Sequence, residues 1–271
     1  TIKTRYNKWN DSICGIKVFG RNITSPEYNE TDHGTIPAGD YYISGVEISN
    51  NTITTAGYGI HLTNARDSVI TGNSITGSGY DKKNDLIAKD GKYDGIHLVE
   101  NSTGNKITGN TVTNAQSNGI FISGSSVTEI SQNTISKAGK DSINLSEDAV
   151  SGPIASNKIS DSKEHGIVVH GVGAASGDIT GNTISVSGGS GIQASDNAKT
   201  GAITGNSISK SDVNGVCLTD NATAQSIASN TISTSKKTGI QITNKSKVTE
   251  NIDGNTISDS TLNGIALLSA T

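Results

Sequence analysis

Short apolar words recur along this chain at an almost constant interval. The word Asn-Thr-Ile-Ser, with close variants, begins at Asn51, Asn73, Asn110, Asn133, Asn157, Asn182, Asn206, Asn230 and Asn255. A second word, Gly-Ile-x-Leu, begins at Gly15, Gly59, Gly95, Gly119, Gly166, Gly191, Gly215, Gly239 and Gly264, with Ser142 once in the glycine place. A third position sets Ile three residues ahead of each Asn, from Ile48 to Ile252. Apolar and polar residues alternate within each word, the two-residue period of a half-buried strand, and Gly, Asn, Asp or Ser bounds each word.

From Asn133 onward the Asn words stand 24 or 25 residues apart. A fixed period of this length marks a solenoid in which one repeat cannot bury its apolar face alone and the stack folds as a unit. The pattern therefore predicts an all-β chain, a right-handed parallel β-helix with three-strand coils of about 24 residues each. In Gly-Ile-x-Leu the first and last aliphatic residues point inward and the middle residue outward; in Asn-Thr-Ile-Ser the Ile points inward. The recurring Asn is predicted to stack at one corner, each amide bonding to its neighbours along the axis. The whole chain, 1–271, reads as one solenoid with loop insertions near 20–44 and 77–93.

Composition alone would argue for a different chain. Hydrophobic residues make up 32% and aromatics 4%, values that fit low-complexity sequence until the period is seen. A solenoid needs only a thin apolar core. The net charge of -4 and pI of about 5.7 leave no basic stripe for nucleic acid. No apolar run is long enough for a membrane-spanning helix. The chain contains no Met and reads as a processed piece. "LNGIALLSAT" at its end still follows the repeat, so further domains of a longer chain are expected. Cys14 and Cys217 fall about seven coils apart, roughly 34 Å at ~4.8 Å per coil, and read as free thiols.

The regularity breaks twice. The step from Gly15 to Gly59 is 44 residues, an excess of about one coil, and that from Gly59 to Gly95 is 36. All seven tyrosines lie at or before Tyr93, and the single Trp is Trp9. In a solenoid, such insertions map to loops on a working face. Aromatic and charged loops suit sugars, whose apolar faces stack on rings and whose hydroxyls need polar partners. Equally, these loops could serve only to cap the stack.

The outward residue of Gly-Ile-x-Leu runs Lys17, His61, His97, Phe121, Asn144, Val168, Gln193, Cys217, Gln241, Ala266. His61 and His97 share one register on consecutive coils, ~5 Å apart. Such a pair suits general acid–base work or a metal. The candidate catalytic residues are His61, His97, Tyr58, Lys17 and Arg66, and the candidate substrate-binding residues are Tyr80, Tyr93, Asp94, Lys92 and Glu100. No residue is assigned to a metal. His165 and His170, on the plain part of the stack, read as surface residues, and His33 lies in the first insertion.

The "GNTISxSxxxGIxL" rhythm, over roughly residues 13–268, resembles the parallel β-helix repeat of pectin-lyase-fold enzymes, alginate C5-epimerases and NosD-type proteins of copper systems. The resemblance implies fold more than function, because this fold hosts lyases, epimerases, hydrolases, adhesins and scaffolds. Polygalacturonase-like hydrolases carry clustered Asp and Gly-His-Gly; here only "EHG" at Glu164–Gly166 comes near. Calcium-dependent pectate lyases group acidic ligands with an Arg or Lys base. Asp81, Asp85, Asp90 and Asp94 with Lys89 and Lys92 offer similar chemistry, so Ca²⁺ is a possible cofactor. Alginate epimerases carry Tyr-Gly-Phe-Asp-Pro-His; "GYGIHL" at Gly57–Leu62 is similar in Tyr58, Gly59 and a displaced His61. An outward Thr/Ser ladder suggests an ice-binding face, but Lys158 interrupts it.

Together these point to an extracellular or cell-surface protein whose partner is a polysaccharide, as a lyase or C5-epimerase on an acidic chain. The alternative is a non-catalytic carbohydrate-binding or adhesive module.

Overall fold

The computed structural model describes residues 2–3, 14–23, 27–29, 34–36, 38–55, 57–79 and 92–269. Among these there is no helix; short strands wind as a parallel β-helix with three sheet faces. The Asn face stacks ten strands, including Thr52–Thr54, Thr134–Ser136 and Thr256–Ser258. The Gly face stacks ten more, beginning Cys14–Phe19, Tyr58–Thr63, Ile96–Val99 and Ile120–Ser123 and ending at Ile265–Leu268. The third face carries the Ile that precedes each Asn and is often split into two short strands per coil, such as Val150–Ser151 and Ile154–Ala155.

Alternation sets what is buried. On the Asn face Ile53, Ile75, Val112, Ile135, Ile159 and Ile184 form one inward column. The Gly face supplies paired columns such as Ile60 and Leu62, fully excluded from solvent. The two faces meet closely at the glycine corner. A Cβ on Gly59 would collide with both the Ile75 side chain and the Gly95 carbonyl, which is why this word opens with glycine. After several Gly-face strands the chain turns through two consecutive residues of positive φ, as at Glu100–Asn101, Asp196–Asn197 and Asp220–Asn221. Asn and Asp are the non-glycine residues that tolerate this region best.

The Asn ladder is continuous. Asn157 Nδ2 donates to Asn182 Oδ1 at 3.0 Å and to the Ile130 carbonyl at 3.0 Å. Its Oδ1 accepts from the Asn133 backbone N–H and Nδ2, both at 3.0 Å. The same pattern repeats from Asn73 to Asn230. Each amide is buried with its hydrogen-bonding capacity used, so a polar column survives inside the corner without an unsatisfied group.

The first insertion, about one coil in length and read as a loop near 20–44, adds no coil to the stack. Strand Cys14–Phe19 pairs directly with Tyr58–Thr63, Lys17 opposite His61. The extra residues instead leave the solenoid as antiparallel pairs, Arg21–Ile23 with Gly39–Tyr41 and Glu27–Asn29 with Gly34–Ile36. The exit is at Gly20, whose N–H bonds the Thr63 carbonyl and where a side chain would strike the carbonyls of Tyr41 and Asn64. Most of the second insertion, with Tyr80, Asp81, Asp85, Lys89 and Asp90, lies outside the described residues, as do Trp9 and His33. No described helix is long and apolar enough to cross a membrane.

Candidate functional site

On the Gly face His61 pairs in register with His97, and His97 with Phe121. Parallel pairing without a bulge stacks their side chains as an outward column. The His61 and His97 rings meet edge-on with centroids 4.8 Å apart. His97 lies nearly parallel to Phe121 at 5.1 Å. Tyr58, at the corner before Gly59, packs against both imidazoles at 4.9 and 4.5 Å. The buried Tyr93 meets Tyr58 edge-on at 5.1 Å.

Asp94, a candidate for substrate binding, is buried behind His97. Its side chain is 3% exposed. One oxygen, Oδ2, lies 2.7 Å from His97 Nδ1. The other, Oδ1, accepts from the backbone N–H of Asn118 at 2.7 Å and from its side-chain amide at 2.9 Å. An ionised carboxylate only accepts, so His97 Nδ1 carries the proton and Nε2 presents its lone pair. Buried Asp behind His is the arrangement that orients an imidazole and stabilises its protonated form.

His61 has no such support. Burial lowers its pKa from 6.5 to about 4, and the charge of His97, when that imidazole is protonated, and of Lys17 push the same way. It is therefore neutral at pH 7. Its Nε2 contacts Thr63 Oγ1 at 3.1 Å and its Nδ1 lies 3.7 Å from Cys14 Sγ. Burial raises the Cys14 thiol to about 11, against the opposing pull of Lys17. Thiol and imidazole are thus both neutral, and the pair is not an activated nucleophile. Both cysteines are free thiols.

The remaining candidates separate. Lys17 stands one strand before His61 on the same face, its Nζ 4.7 Å from the Phe19 ring. Lys92 Nζ lies 5.6 Å from the Tyr93 ring. Arg66 is on a different strand pair, Ala65–Arg66 with Ile43–Ser44, where it bonds Asp40 and lies 4.1 Å over Tyr42. It is held by the first insertion rather than brought to the imidazoles. Glu100 sits exposed in the left-handed turn after the His97 strand. Among the described residues no group of three or more His, Cys, Asp or Glu is placed to hold a metal.

Two family matches, over residues 1–151 and 118–271, carry the description "right handed beta helix region" and together span the sequence. The chain belongs to the right-handed β-helix family. No curated protein and no solved structure matches it. The chemistry of this β-helix must therefore be argued from its own side chains. His61, His97 and Tyr58 were legible as a cluster from spacing alone. Asn118 and Cys14 were not assigned, although the register that aligns His61 with His97 also aligns Asn118 one coil beyond Asp94.

Proposed function

We propose that this β-helix acts on an acidic polysaccharide, outside the cell or at its surface, as a lyase or C5-epimerase centred on His97. The observation that carries the reading is the buried Asp94–His97 pair, packed against neutral His61 and Tyr58 with Lys17 on the same face. A uronate unit has an acidic proton at C5, α to its carboxylate. His97 Nε2 takes that proton, and Asp94 stabilises the imidazolium. Lys17 offsets the negative charge that builds on the carboxylate as it becomes an enediolate. In elimination, the electron pair forms the C4–C5 double bond, the C4–O bond breaks, and the Tyr58 hydroxyl protonates the departing oxygen. In epimerisation, Tyr58 instead returns a proton to C5 on the opposite face, and no bond to O4 breaks.

The competing reading is a non-catalytic carbohydrate-binding or adhesive module, favoured by the continuous Tyr58–His97–Phe121 ring surface, which can hold a sugar by stacking alone. One experiment separates them. The protein is incubated with polygalacturonate, alginate and unsulfated glycosaminoglycan, with and without Ca²⁺. Unsaturated products are followed near 235 nm as an ultraviolet marker of the conjugated product (about 235 nm) and epimerisation by proton NMR. Product that disappears in His97→Ala supports the enzyme. No product from any polyuronate, with glycan binding retained, assigns the binding module instead.

A further inference from the structure

The described side chains of the Gly face differ in charge along its length. Among the described residues at its decorated end, Lys17 and Lys92 stand near the imidazoles, Asp94 is buried against His97, and Glu100 is exposed in the turn beyond. Further on, the face becomes a groove of about 400 Å³. Its floor is the same outward column, Phe121, Asn144, Val168 and Gln193. Its walls bring one lysine, Lys140, against three carboxylates, Asp141, Glu164 and Asp196. His165 and His170, expected as plain surface residues, also line it.

The floor is built rather than accidental. Asp141 repeats the role of Asp94 two coils on, its Oδ2 accepting from Asn144 Nδ2 at 2.7 Å and its Oδ1 accepting from the His165 N–H at 2.8 Å. Asn144 is 8% exposed and reaches His170 Nε2 at 3.3 Å through its Oδ1. His165 Nδ1 accepts the Ser190 N–H at 3.0 Å, which fixes its ring. Aromatic and aliphatic floor, side-chain amides and carboxylate acceptors are the chemistry that hydroxyl-rich, uncharged rings require. A carboxylate-bearing ring would instead meet three carboxylates against the single Lys140.

We propose that this groove binds uncharged sugar units, and that the polymer is therefore a heteropolymer. Its uronate lies at His97 and its neutral units over Phe121 to Gln193. The second clause rests on the uronate reading above; the first does not. The column from Lys17 to Gln193 takes six inter-strand steps, roughly 29 Å at ~4.8 Å each, enough for several rings.

The test is calorimetric titration of the full chain at low salt with cellohexaose, xylohexaose, N-acetylchitohexaose and hexagalacturonate. The expected result is binding of at least one neutral hexamer, weakened severalfold by Gln193→Ala. Removing charge in the double variant Glu164→Gln/Asp196→Asn should tighten hexagalacturonate by about tenfold, an effect that fades as salt is raised. Thermal midpoints of both variants serve as the folding check. Three results overturn the groove: no neutral hexamer binds, Gln193→Ala leaves that binding unchanged, or the double variant leaves hexagalacturonate unchanged. Loss or absence of unsaturated product in the uronate assay bears on the His97 reading alone.

Discussion

The coils carrying His61 and His97 and those carrying Gln193 to Gln241 share one face, one register and one inward core, yet they offer different chemistry. Ile60 and Leu62 are as fully buried as Ile192 and Ala194. The difference in chemistry lies in the outward residue and the corner before glycine. At Asp94 and His97 the corner aspartate meets an imidazole at 2.7 Å. At Asp141 and Asn144 it meets an amide at the same distance. At Ser190 and Gln193 it is a weaker 3.4 Å contact between neutral groups. A solenoid thus separates folding from chemistry: the inward columns fix the stack, and an outward position three residues past the corner can be varied without cost to it.

That contrast is broken most sharply at His97. If the decorated coils do chemistry and the plain coils do not, His97→Ala should lower product formation on a uronate polymer by about 10²–10⁴-fold, the usual worth of a positioned acid–base group. Asp94→Asn should cost a comparable factor while leaving the neighbouring ring contacts in place, because an amide at Oδ2 removes the charge that stabilises the imidazolium. Asn144→Ala, at the matching position, should leave turnover within about threefold, since it supplies no acid–base group. Steady-state rates at 235 nm check all three, 235 being about the maximum of the expected product. Equal losses at His97 and Asn144 would mean that the column acts through folding.

The next comparison lies inside the scaffold. Asn157 and Asn182 are 0% and 1% exposed, with every amide valence used, whereas Asn51, near the ladder's start, is half-buried. Asn157→Ala should destabilise by about 1–3 kcal/mol, because it strands the Asn133 amide and the Ile130 carbonyl. Asn51→Ala should cost less than half as much, about 0.5 kcal/mol, since water replaces part of what is lost. Thr134→Ala, outward on the same face, should fall within about 0.5 kcal/mol of the parent. Denaturant midpoints order the three; a ladder that is decorative would leave them indistinguishable.

How much of this was legible in the sequence follows from the same division. Inward residues obey the period, so the three faces, the Asn ladder and the His61–His97 register could all be read from spacing. Hydrogen-bond partners across coils could not. Nothing in the string "YDGIHL" says that Asp94 turns its oxygens toward His97 and Asn118 instead of solvent. The extra residues after Gly15 matched one coil in length, but length does not distinguish a parallel coil from antiparallel hairpins leaving at Gly20. Arg66 is near His61 in sequence, yet the corner at Asn64, with its positive φ, carries it onto another strand pair. His165 and His170 were discounted because the coils around them are regular; the groove arises from the corners on both sides, which no single word reveals.

The last comparison concerns protons, and it sets His61 against a plain coil. His61 titrates at about 4 in the folded chain against 6.5 for an ordinary histidine. Between those values the unfolded chain binds a proton at this position and the folded chain does not. Stability from this group is therefore intact above pH 6.5, declines as pH falls through the window from 6.5 to 4, and stops changing below it. Other groups titrate in the same range, so the informative quantity is a difference. The thermal midpoint of the parent minus that of His61→Gln should fall across this window and be flat above it. The reverse substitution in a plain coil, Gln241→His, puts an imidazole on an outward strand position without a second imidazole or Lys17 beside it, and its difference curve should be shallower. A flat parent-minus-variant curve for His61 would mean that the imidazole is solvated, and that the decorated end of the face is no drier than the rest.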